Sequence, residues 1–290
     1  MKIVPAAVLL GLGTVGVGGW YKFSNLKPKT LRQYLEWQGL RLISDSETNY
    51  WRAILDENGQ LVSKLNIDGI EGIKSWCRDN LDSESYEELK VPALSLCVDN
   101  PSTVKARLIQ LYGDTNFLIN GDDSDADNKY KVAYVFRKHI DGFNALIGYS
   151  PEIGEDGKEA ENLEEAKKAF EAWCTGSLTK PIDETLVLNV KELCTPKKFS
   201  TIKQLIELRG ESGKLLTDDK NSNDLNSKYE AIKAFDSWKA DNNSEEGTKD
   251  KLKEWCTTNE SKNFYEKSVF SETYPKFRFR CLKDSDAAPQ

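Results

Sequence analysis

The chain has 290 residues, 39% hydrophobic and 30% charged, with a formal net charge of -7. That length accommodates one large domain or two to three small ones, and the charged fraction argues against a polytopic membrane protein. Lys and Glu are interspersed, so there is no concentrated basic face for nucleic acid, and a single histidine, His139, leaves little for histidine triads or histidine-rich metal sites.

The N-terminus comes first. Lys2 precedes an uncharged stretch from Ile3 to Trp20, IVPAAVLLGLGTVGVGGW, the longest apolar run in the chain. It is at the short end of what spans a bilayer, which takes about 20 residues. Trp20 and Tyr21 sit where an interfacial aromatic anchor belongs, and no clear small-x-small cleavage site follows. We therefore expect an uncleaved membrane anchor over 1–22, inserted through residues 3–20, with a cleaved signal peptide as the alternative. Gly11, Gly13 and Gly16 match the dinucleotide fingerprint G-x-G-x-x-G. Val17-Gly18-Gly19 is too glycine-rich to start the helix that fingerprint requires, so a glycine-rich membrane segment is the better reading. Lys22, Lys27, Lys29 and Arg32 follow the segment and favour a cytoplasmic remainder. The cysteines described next favour the outside.

Three segments then open alike, at Pro28-Lys29-Thr30-Leu31, Pro101-Ser102-Thr103-Val104 and Pro196-Lys197-Lys198-Phe199. Each continues with helical apolar spacing and stops at a glycine: Gly39, Gly113 and Gly210. Ser/Thr starts and glycine stops are helix-cap signals. An apolar doublet follows in each, Leu42-Ile43, Leu118-Ile119 and Leu215-Leu216, then a polar, acidic loop. Second amphipathic patterns begin around Trp51, Tyr130 and Tyr229. A third helix is predicted to end in a Trp-Cys pair: Trp76-Cys77, Trp173-Cys174 and Trp255-Cys256. Beyond it the chain reaches a second cysteine, Cys97, Cys194 or Cys281. Alternation such as Phe277-Arg278-Phe279-Arg280 predicts a short extended segment there. The predicted fold is mainly α: an N-terminal membrane helix followed by three similar small helical modules over 28–100, 101–195 and 196–290. Each module has about three helices and is long enough to close its own core.

Cys77, Cys97, Cys174, Cys194, Cys256 and Cys281 are all the cysteine present. Their intervals of 20, 20 and 25 residues never form C-x-x-C, which makes thioredoxin-type redox sites and zinc knuckles poor readings. Three disulfides, one per module, or six buried thiols remain; the pairing and the apolar N-terminus favour disulfides.

No catalytic residue, cofactor or metal is expected, nor any small-molecule substrate. Asp123, Asp125 and Asp127 have the spacing of the first three ligands of an EF-hand. Asn128 and Tyr134 stand where the glycine and glutamate belong, so a solvated loop capping a helix is the expectation. His139 has no counterpart in the other modules and is expected at or near the surface. The tryptophans beside the cysteines are expected to pack over the bridges, with an aromatic binding shelf as the alternative. Asn242-Asn243-Ser244 and Asn259-Glu260-Ser261 match the N-glycosylation triplet.

The glycine-rich apolar segment, the Trp-Cys pairs with a later cysteine, the glycine-stopped helices and the excess of Lys over Arg (31 against nine) carry a resemblance. In these respects the chain resembles paralogous, functionally uncharacterised membrane-anchored proteins of haemotropic mycoplasmas. The resemblance implies surface display and antigenic variation; no functional residues transfer with it. The expectation is a non-enzymatic, single-pass cell-membrane protein with its soluble region extracellular. Its expected partners are the membrane and a host-cell surface protein, with no nucleic acid. The alternative is a cytoplasm-facing membrane scaffold with reduced cysteines; an enzyme is the third reading.

Overall fold

The computed structural model describes residues 27–283 except 155, 156, 158 and 161. The expected anchor over 1–22 lies outside the described residues. Among those described, no helix is long and apolar enough to cross a membrane. They are mainly helical, and the extended pairing present consists of isolated bridges. The chain divides between Pro101 and Ser102 into two compact units.

The first unit carries α1 (Leu31–Trp37), α2 (Thr48–Glu57), α3 (Gly59–Lys64), α4 (Gly69–Leu81) and α5 (Lys90–Leu96). Thr30 starts α1: its backbone is extended and its hydroxyl accepts the N–H of Gln33 at 3.3 Å. That bond satisfies a donor the helix cannot pair internally. Gly39, at φ +78°, lets the chain reverse, and Leu40 N–H returns to Leu35 O at 3.1 Å. The buried stripe Leu31 and Leu35 then meets Trp51, Ile54, Ile73 and Cys77 in one core. Each such aliphatic burial is worth roughly 1.5–3 kcal/mol. Trp51 anchors that core at 1% exposure, its indole N–H donating to Ser44 O at 2.9 Å.

The second unit carries α6 (Val104–Tyr112), α7 (Ala126–Val135), α8 (Phe143–Leu146), α9 (Leu163–Leu178) and α10 (Glu184–Cys194). It continues through α11 (Ile202–Leu208), α12 (Ser222–Ile232), α13 (Asp236–Asp241), α14 (Lys249–Glu260) and α15 (Tyr274–Cys281). Residues from Val104 to Leu282 form one continuous core rather than two separate ones. Phe136 is the link. Its ring lies edge-on to Phe199, Phe264 and Phe270 at 4.9, 4.8 and 4.7 Å, joining the end of α7 to the segments around α11 and α15.

The same backbone ties occur in all three segments. The first residue of the leading helix donates to a carbonyl just beyond the Trp-Cys helix: Leu31 to Ser83 (3.1 Å), Val104 to Lys180 (3.0 Å) and Ile202 to Lys262 (3.1 Å). The second residue of the apolar doublet donates to the second cysteine: Ile43 to Cys97 (3.0 Å), Ile119 to Cys194 (2.8 Å) and Leu216 to Cys281 (2.9 Å). Thr103 and Thr201 cap α6 and α11 as Thr30 caps α1. The third helix start is therefore Thr201-Ile202; Pro196 stands further upstream of it than Pro28 and Pro101 do of theirs.

Three expectations need correction. Each segment holds five α-helices, not about three, because the polar middle stretches fold into additional short helices. The Trp-Cys pairs lie inside α4, α9 and α14, about a turn before the helix ends. The segment before each second cysteine is helical (α5, α10 and α15), not extended. In α15, Tyr274, Phe277 and Cys281 give ordinary helical spacing. The apparent alternation arises because Arg280 also points inward, at 2% exposure.

Candidate functional site

The six cysteines form three bridges, Cys77–Cys97, Cys174–Cys194 and Cys256–Cys281, with Cα–Cα separations of 5.7, 5.8 and 5.6 Å. No cysteine among the described residues is free. Each bridge ties the Trp-Cys helix to the C-terminal end of the following helix. All six cysteines are at most 3% exposed. Trp76, Trp173 and Trp255 are only half-buried, packing against the cores from their edges. The fully buried indoles are instead Trp51 and Trp238. An Asn four residues after the tryptophan donates to the tryptophan carbonyl in two segments, Asn80 to Trp76 and Asn259 to Trp255, both at 2.8 Å. In the remaining segment Ser177 takes that place, and its buried hydroxyl has no hydrogen-bond partner. The amide of Asn259, in one of the two glycosylation triplets, is thus already engaged with its helix.

The acidic loop is held by its own neighbours. Asp123 accepts the Asp125 N–H at 2.9 Å and pairs with Lys129, Asp125 accepts from Asn128 Nδ2 at 2.9 Å, and Asp127 pairs with Lys167 at 2.6 Å. Asp125 supplies the N-cap position of α7, as expected of this loop, although its side chain makes no cap hydrogen bond. No cluster of potential metal ligands is present among the described residues. His139 is exposed and stacks on Phe270 at 5.7 Å.

Two buried arginines are features that sequence patterns missed. Arg280 pairs with Asp241 at 2.6 Å, donates to Ser237 O at 2.8 Å, and lies 4.8 Å from the Trp255 ring centroid and 5.5 Å from that of Trp238. Lys276 reaches the same carboxylate at 2.9 Å. Burial pushes the Asp241 carboxyl up, but hydrogen bonds from Lys276 and Arg280 outweigh it and hold the group below the ordinary carboxylate value. This cluster fastens the short α13 onto α15. Arg137, 5% exposed, donates to the carbonyls of Glu192 (2.9 Å) and Thr195 (2.8 Å), closing the C-terminal end of α10. Burial pushes its guanidinium down to about 10.

Large apolar side chains stay exposed at one recurrent position, two residues before each glycine stop: Trp37 at 71%, Leu111 at 43% and Leu208 at 56%. Single exposed apolar residues are ordinary. Recurrence at one structural position three times is what singles these out. In the second segment the Arg107–Glu184 ion pair (2.9 Å) sets α6 beside α10, where Leu188 is also exposed at 54%. Comparison with family models, curated proteins and solved structures yields no match for this chain.

Proposed function

We propose that this is a membrane-anchored, surface-displayed protein whose three disulfide-stabilised helical modules are copies of one unit that contacts host cells or serves as a variable antigen. The observation that carries this reading is the recurrence of one framework in three segments. A buried bridge, a threonine-capped leading helix and a doublet tied to the second cysteine occur each time. Disulfide-dependent small modules belong to oxidising compartments, which supports the outside orientation. Between doublet and Trp-Cys pair the three segments differ in length and sequence while the framework stays the same. A cross-linked frame tolerates such change in its connecting stretches, as a displayed and varied surface requires. Trp37, Leu111 and Leu208 are the contact positions that recur with the frame.

Protease treatment of intact cells tests the display. The proposal expects the region after residue 27 to be digested while cytoplasmic controls survive; a fully protected region sinks it. Lys22, Lys27, Lys29 and Arg32 favour the second reading, a cytoplasm-facing scaffold with reduced cysteines. That reading expects protection together with six free thiols.

A further inference from the structure

A cleft of about 210 Å³ opens in the second unit between α7 and the segment leading into α11. Asn128, Lys129 and Val132 line one wall from a single stripe of α7, and Lys197, Lys198 and Ser200 line the other. Its volume is below the roughly 300 Å³ at which drug-sized ligands are accommodated, so only a small group fits. Phe199, a further lining residue, packs on Phe136, so the cleft rests on the aromatic cluster of the core.

The charges around it are unequal. Lys129 is paired with Asp123, and Asp125 at the rim accepts from Asn128. Neither Lys197 nor Lys198 has a carboxylate partner among the described residues. Lys197 is half-buried, and burial together with the nearby Arg137 charge pushes its ammonium below the ordinary lysine value. Arg137 itself donates to backbone carbonyls and also lies near the Glu192 carboxylate. In a chain of net charge -7, three lysines and one carboxylate, Asp125, line the cleft; Lys129 is neutralised by Asp123, and Lys197 and Lys198 form no ion pair among the described residues. Ammonium groups are point donors suited to a phosphoryl oxygen cluster. The Ser200 hydroxyl donates its proton to Gln204 Oε1 at 3.2 Å and has none left for an anion, so the lysines carry the recognition.

From this geometry we propose that the cleft binds a phosphate group, held by Lys197 and Lys198 against the α7 wall. A free phosphate and a phosphomonoester lipid headgroup present the same chemistry. The test uses the full-length oxidised chain and two probes. Inorganic phosphate is titrated by calorimetry and by ³¹P line broadening at constant ionic strength, with chloride as the control. Phosphatidate-containing vesicles are compared with phosphatidylcholine vesicles, with added phosphate as competitor.

Saturable phosphate binding that Lys197→Gln/Lys198→Gln weakens about tenfold or more supports the site. Lys203→Gln, which touches Glu260 outside the cleft, should leave that binding unchanged. Phosphatidate binding that needs the same two lysines and is competed by phosphate supports it with a lipid source. No saturable response to either probe in the wild-type chain overturns it, as does binding equally sensitive to Lys203→Gln. The wild-type ³¹P measurement decides even if the double variant fails to fold.

Discussion

The backbone N–H of Ile119 donates to the carbonyl of Cys194 at 2.8 Å, so the second cysteine of the bridge also anchors the chain that follows the leading helix. The bridge thus fixes three elements together: the Trp-Cys helix through Cys174, α10 through Cys194, and the doublet through this hydrogen bond. The pairs Ile43–Cys97 and Leu216–Cys281 repeat the arrangement. Replacing Cys174 and Cys194 together by Ala should cost on the order of 3 kcal/mol, the loop-closure value for 20 residues. Urea unfolding followed by near-UV signals checks this. The doublet amides at 119 and 216 should lose hydrogen-exchange protection when their own bridge is removed and keep it when the other is.

Arg280 and Asp241 form a pair in which one partner is nearly wholly buried. Asp241→Ala should destabilise the second unit by about 3 kcal/mol, since it leaves a guanidinium enclosed by two indole rings and a carbonyl. Arg280→Met removes the buried charge and leaves Asp241 with Lys276, so it should cost roughly 1 kcal/mol. Denaturation midpoints of the two variants provide the comparison. Equal losses would contradict the assignment of the burden to the stranded cation.

Acid sensitivity follows from the same cluster. The Asp241 carboxyl is held below its ordinary value, and Glu211 is lowered by its hydrogen bond from Arg278. A depressed carboxyl contributes its full stabilisation above the unfolded value, about 4. That contribution is lost as pH falls through the lower folded value. The stability difference between the wild type and Asp241→Asn should therefore be largest at neutral pH and shrink below about pH 4. Parallel urea titrations at pH 7 and pH 2.5 measure it.

Ser177 gives a prediction of opposite sign. Its hydroxyl is buried without a partner where Asn80 and Asn259 make a carbonyl bond. Ser177→Ala should be neutral or stabilising, whereas Asn80→Ala and Asn259→Ala should each cost about 1 kcal/mol. Thermal midpoints of the three variants settle the sign.

The contrast between Cys281 and Arg280, adjacent in sequence, shows what could be read in advance. Cysteine and tryptophan are scarce, so Trp-Cys pairs at similar intervals expose the framework directly. Threonine caps and positive-φ glycines are local signals of the same kind, as Thr30, Thr103, Gly39 and Gly210 bear out. Arg280 is buried because Asp241, far away in sequence, compensates its charge, and nothing in the local hydropathy reports that. The same tertiary compensation made α15 look extended. The joint core of the second unit was equally hidden, since Phe136 reads as one apolar residue among many until its three aromatic neighbours are placed. The lysine cleft depends on α7 meeting residues 197–200, a proximity that no motif encodes.

Cysteine mapping of the protein taken from its native cells is the most direct measurement. Because the bridges are buried, free thiols must be blocked under denaturing conditions at the moment of lysis, before digestion without reductant. The account predicts three linked peptide pairs, Cys77 with Cys97, Cys174 with Cys194 and Cys256 with Cys281, and no blocked thiol. Six blocked thiols, or a bridge crossing between segments, would contradict it.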